Sequence, residues 1–111
     1  MGPPQQVVEC AKYVQTIEGL MICMCTLPKV PLLMRNIYME NKTLIGKIDD
    51  VFGTTSAPGF CIKPVEGVKG ESFKEGDSVS AIPDYCEKLL DYDLSFNRES
   101  YIHFISYIGL H

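Results

Sequence analysis

Between residues 37 and 77, short apolar runs alternate with glycine, proline, asparagine and aspartate at the spacing of tight turns. This punctuation constrains the fold more than any other feature of the chain. A helix needs an apolar stripe sustained over roughly ten residues or more, whereas runs of about four to eight bounded by turn formers read as strands. Residues 43–51 make the strongest of them, with Leu44, Gly46 and Ile48 on one face and Ile45, Lys47 and Asp49 on the other. Gly46, in the middle of that strand, signals a bulge or a close backbone approach. Further strands are expected at 20–26, 36–39, 60–63 and 78–82, with a short extended piece around Val68. Asn41 suits a left-handed turn position, and Lys74-Glu75-Gly76-Asp77 reads as a tight turn. About six strands with turns every 8–12 residues or so predict an all-β barrel or sandwich.

The flanks carry less information. Residues 1–18 read as an N-terminal lead-in, a loose tail followed by a short helix or an extended stretch over 7–16. Pro28 and Pro31 lack the amide proton that a central ladder requires, so the segment between them is expected to cross outside the barrel. Residues 19–90 form the barrel core in this reading, with 84–90 as a helical turn or an extended cover. Residues 91–111 are an aromatic extension. Within it Tyr101, Phe104, Ile105 and Ile108 have the spacing of an amphipathic helix, although a strand fits the same residues.

Composition then narrows the function. At 111 residues there is room for one core and little for a second. A formal charge of -4 opposes a surface built mainly to hold a phosphate backbone, where counterion release by Lys and Arg supplies most of the affinity. Lys42, Lys47, Lys63, Lys69 and Lys74 are interleaved with seven acids between Glu40 and Asp77, which reads as an ordinary mixed surface. The five cysteines, Cys10, Cys23, Cys25, Cys61 and Cys86, follow no basic start or apolar leader, so free thiols in a reducing compartment are expected. Cys23-Met24-Cys25 has no second cysteine pair to complete a zinc site. The run Leu20–Cys25 is far short of the roughly 20 residues that cross a bilayer, and membrane anchorage has no support.

Catalytic chemistry finds no foothold. His103 and His111 are the only histidines, and neither has a nucleophile and orienting group at recognisable spacing. Asp49 and Asp50, adjacent on a strand, point to opposite faces and cannot share a substrate atom. Gly67, Gly70 and Gly76 open no phosphate-cradling helix.

The order of several pieces is nonetheless specific. Lys29-Val30-Pro31 precedes Ile37-Tyr38-Met39-Glu40-Asn41-Lys42-Thr43. Ile45-Gly46-Lys47-Ile48-Asp49-Asp50-Val51-Phe52-Gly53 follows, then Pro58, Ile62-Lys63-Pro64, Gly67-Val68-Lys69 and Ser72-Phe73-Lys74-Glu75-Gly76-Asp77. From about Gly19 to Leu90 this series resembles the core domain of the glycine–arginine-rich-domain protein family of box H/ACA small nucleolar ribonucleoproteins. Thr54 stands where the family usually has proline, and the residues here include no Gly/Arg-rich tract.

The resemblance implies a small six-stranded split β-barrel of the reductase, isomerase and elongation-factor type, with a C-terminal extension. It implies a non-catalytic subunit without cofactor or metal. Its partners would be a dyskerin-like pseudouridine synthase and the other H/ACA core proteins, with the guide RNA touched mainly indirectly. Its work would be RNA-guided pseudouridylation of ribosomal RNA and ribosome biogenesis, in the nucleus and nucleolus. Carried over residue by residue, the partner-binding candidates are Val30, Pro31, Ile37, Val51, Phe52, Gly53, Pro58 and Pro64. The sequence leaves open whether Ile37, Val51 and Phe52 are docking residues or barrel core. Two readings of other kinds compete: a barrel that binds RNA directly or a related H/ACA assembly factor, and a small flavin-binding enzyme on the same barrel.

Overall fold

Glu18 and Gly19 adopt φ of 51° and 82°, the left-handed pair of a two-residue hairpin turn. They fold β1 (Val8–Ile17) back onto β2 (Leu20–Cys25), with Ile17 opposite Leu20. The computed structural model describes residues 4–27, 29–31, 33–53 and 57–88. The remaining strands are β3 (Lys29–Pro31), β4 (Asn36–Tyr38), β5 (Leu44–Gly53), β6 (Pro58–Pro64), β7 (Ser78–Ala81) and β8 (Cys86–Lys88). Two single 3-10 turns, Gly70–Ser72 and Pro83–Tyr85, complete the elements.

Six strands close into an antiparallel barrel in the order β1-β2-β6-β5-β4-β7, with β7 returning to pair with β1. Closure removes the sheet edges that would otherwise invite aggregation. β3 and β8 form a separate two-stranded sheet, as expected for a segment flanked by Pro28 and Pro31.

The sixth barrel strand is a correction to the sequence reading. The lead-in assigned to residues 1–18 contains β1, a full barrel strand, whereas the piece around Val68 is no strand and gives way to the Gly70–Ser72 turn. The physical reason lies in two register shifts. One falls between Glu9 and Ala11 against β7 and the other between Tyr13 and Gln15 against β2, so Cys10 and Ala11 are both buried although adjacent. A bulge breaks the alternation by which a strand is recognised. The same effect moves Ile45. Strict alternation puts it outside with Lys47, but the shift opposite Ile37/Tyr38 turns it inward beside Ile48.

The barrel interior is packed with Cys10, Tyr13, Met21, Cys23, Ile37, Ile45, Ile48, Val51, Phe60, Ile62 and Val79, all buried. A second apolar cluster, Ile22 and Phe52 with Ile17, Met24 and Cys61 against them, lies on the opposite face of β2, β5 and β6, since these residues alternate with the interior ones.

Turn chemistry follows the residues. At 74–77 the Asp77 carboxylate accepts from the Lys74 amide at 2.9 Å, the Asp77 amide donates to the Lys74 carbonyl, and Gly76 takes φ of 95°. At 41–43 the Asn41 side chain accepts from the Thr43 amide at 3.0 Å, but Lys42, not Asn41, takes the left-handed φ of 70°. The helix or strand expected at 101–108 lies outside the described residues.

Candidate docking surface

β5 and β6 form the longest ladder in the barrel, and it carries most of the residues singled out in the sequence. Gly53 pairs with Pro58 at one end, Val51 with Phe60 and Ile48 with Ile62 in the middle, and Gly46 with Pro64 at the other end. At about 3.3 Å per strand residue, the Gly53/Pro58 end and Pro64 stand roughly 20 Å apart. The candidates therefore do not form one patch.

Burial divides them further. Ile37 and Val51 are completely buried in the barrel interior, and Phe52 is 1% exposed in the outer cluster. Pro31 and Pro58 are also buried. These five shape the barrel and its ends and cannot serve as first-contact positions in the fold described, because their surface is already spent on neighbours. Gly53 and Pro64 are half-exposed. Val30 is placed by its backbone, which pairs with Glu87 across β3 and β8. Thr54 lies outside the described residues.

Glycines fix the ladder's shape. A Cβ on Gly46 would collide with the Lys63 carbonyl and lie 2.8 Å from the Pro64 Cα, so β5 and β6 approach there as only glycine allows. Gly53 has φ of 102° at the mouth of the loop that leads to Pro58.

The Pro64 end also forms a cleft of about 300 Å³ between Met34, Ile48, Pro64 and Val65, with Lys47, Lys63 and Asp49 around it. Its wall is pinned to β5: the Met34 amide donates to the Ile48 carbonyl at 2.9 Å, and the Ile48 amide to the Arg35 carbonyl at 3.0 Å. Met34 is 67% exposed and holds a left-handed φ of 67°, uncommon for a residue without a short polar side chain. Sequence reasoning missed this cleft, since Lys47 and Lys63 meet only through the β5–β6 register. The five lysines weighed in the sequence form no single patch. Lys42 donates instead to the Gln5 carbonyl at 2.7 Å, and Phe60 is core.

Burial makes the thiols poor nucleophiles. It raises Cys10 and Cys23 far above the ordinary range and pushes Cys25 and Cys61 up to about 12, with Cys86 adding to the effect at Cys25 and Asp50 and Asp49 at Cys61. Among the described residues no three His, Cys, Asp or Glu side chains are grouped to hold a metal ion.

Comparison with known proteins matches residues 7–92 to the Gar1/Naf1 RNA binding region. The chain belongs to the Gar1/Naf1 family. The match begins with β1, as the barrel does, and ends just after β8. The H/ACA ribonucleoprotein complex subunit GAR1 of Scheffersomyces stipitis is 46% identical over 83 residues, covering 75% of this chain and 41% of that protein. The subunits of the same name from Neosartorya fischeri and Chaetomium globosum are 47% and 48% identical, covering 70% and 69% of this chain and 37% of each relative. The chain thus spans about two fifths of the length of these Gar1/Naf1 relatives.

Proposed function

We propose that the chain is the barrel core of a non-catalytic H/ACA ribonucleoprotein subunit that docks on the pseudouridine synthase of that particle. The observation that carries this reading is the identity of 46–48% to subunits of that complex over 77–83 residues, together with a family match over residues 7–92 that contains the whole barrel. The raised thiols of Cys10, Cys23, Cys25 and Cys61 agree with a subunit that uses none of these four cysteines as a nucleophile. The register shift between Ile48 and Asp50, however, brings Asp49 and Asp50 both near Cys61 rather than to opposite faces.

In this reading the subunit supports RNA-guided pseudouridylation of ribosomal RNA, and with it ribosome biogenesis, in the nucleus and nucleolus. The barrel acts by preferring one conformation of the synthase, which shifts the synthase population toward loading or release of substrate. Gly53 and Pro64 are the docking positions left after burial, with Pro31 and Pro58 fixing the backbone nearby, and Val30 on β3 completes the set carried over from the family. The buried Ile37, Val51 and Phe52 support the surface from beneath.

The test is a binding assay between this chain and purified synthase. Ala57→Arg, at an exposed residue beside Pro58, leaves the barrel intact and is expected to weaken binding. Unchanged affinity would remove the Gly53/Pro58 end from the interface. No affinity of the unaltered chain would remove the synthase as partner.

A further inference from the structure

Lys47 and Lys63 stand directly opposite each other on the outer face of β5 and β6, both exposed. Directly opposed strand residues place their Cβ atoms about 5 Å apart, and like charges in that arrangement are destabilising. Among the described residues neither lysine forms an ion pair. Asp49 lines the same cleft but lies outside ion-pair distance of both. The pair is thus a retained electrostatic cost beside an open cleft.

The accessible apolar lining is formed by Pro64 and Val65, both half-buried, with the fully buried Ile48 beneath them. Met34, beside it, is an exposed and adaptable thioether on a backbone fixed by two hydrogen bonds. Ligand pockets run from about 300 to 1,000 Å³, so a cleft at the bottom of that range suits one or two side chains better than a whole cofactor.

We propose that this cleft receives an extended polypeptide segment of a partner protein, an aliphatic side chain seated against Met34, Pro64 and Val65 and an adjacent carboxylate between Lys47 and Lys63. A carboxylate there turns the repulsion into two attractions. RNA is the poorer occupant for two reasons. A phosphate backbone passing through the cleft would meet the Asp49 carboxylate, and the chain as a whole carries a charge of -4. The inference goes beyond the docking function proposed above, with which it shares Pro64, and does not depend on which subunit meets the Gly53/Pro58 end.

The experiment is a nitrogen-15 NMR titration of the full chain with three probes: an Asp-Leu-Asp-Leu peptide, its Lys-Leu-Lys-Leu counterpart and a uridine decanucleotide. The acidic peptide is expected to shift the amides of Lys47, Lys63 and Val65 saturably, and the basic one to leave them in place. Lys63→Glu replaces the like-charge pair with an opposite-charge pair, so it is expected to raise the melting temperature while weakening the peptide about fivefold or more. Lys47→Ala, which relieves the repulsion without adding an acid, is expected to do the same to a smaller degree. Failure of the acidic peptide to move these amides overturns the proposal. So does a stronger, steeply salt-dependent response to the oligonucleotide, which would assign the lysines to RNA. A chain that binds synthase but ignores the peptide refutes the cleft alone, and the converse refutes the synthase assignment alone.

Discussion

Phe52 and Gly59 face each other across β5 and β6, and the Phe52 ring lies where a side chain on Gly59 would stand, 2.6 Å from the position of a Cβ. The ring covers the bare glycine backbone on the outer side of the barrel, an aromatic–glycine pairing that stabilises a strand weakened by glycine. The Cys23 carbonyl closes the same space at 2.7 Å. Gly59→Ala is therefore expected to destabilise the barrel by about 1–3 kcal/mol through overpacking. Phe52→Ala is expected to cost about 3–5 kcal/mol. Urea unfolding monitored by circular dichroism measures both. If Gly59→Ala is neutral, the ring is not held against the glycine.

Gly46 is the stricter case. Its neighbours are the Lys63 carbonyl and the Pro64 Cα, which are backbone and cannot rotate away. Gly46→Ala should cost more than Gly59→Ala, about 3 kcal/mol or above, because the β5–β6 ladder itself must separate. A cost below that of Gly59→Ala in the same denaturation series would show that the two strands are not so closely joined at this point.

The buried thiols set an alkaline limit. In the folded chain burial holds Cys25 and Cys61 up to about 12, against an ordinary value of 9.0, and Cys10 and Cys23 are raised further. The folded state thus keeps protons that the unfolded state releases. Stability from these groups is complete below about pH 9 and is lost as pH rises toward the folded values, with a slope of up to about 1.4 kcal/mol per pH unit for each thiol. Urea midpoints at about pH 7 and about pH 10.5 should differ in that direction. Iodoacetamide near pH 8 should modify these four cysteines in urea far faster than in the native chain. Fast native alkylation of Cys10 or Cys23 would contradict the packing described.

Where the sequence was legible, turn chemistry and alternation agreed. Residues 20–26, 36–39, 60–63 and 78–82 lie within a residue or two of β2, β4, β6 and β7. β1 was not legible as a barrel strand, because the register shifts near Ala11 and Gln15 destroy the period that reveals a strand. The docking candidates were harder still. Ile37, Val51 and Phe52 are apolar whether they face a core or a partner, and only the closed barrel shows that the first two point inward. Lys47 and Lys63 are separated by 15 positions in between, so their opposition needed a register that no local pattern contains.

The central claim is that this barrel docks on a protein subunit rather than on RNA. Co-elution of the full chain with purified pseudouridine synthase, in the absence of RNA and at about 0.15 M salt or above where exposed charges are screened, tests it most directly. The account predicts a stoichiometric complex that persists as salt rises, since its contacts are largely apolar. Elution of the chain apart from the synthase, together with salt-sensitive binding to guide RNA alone, would contradict it.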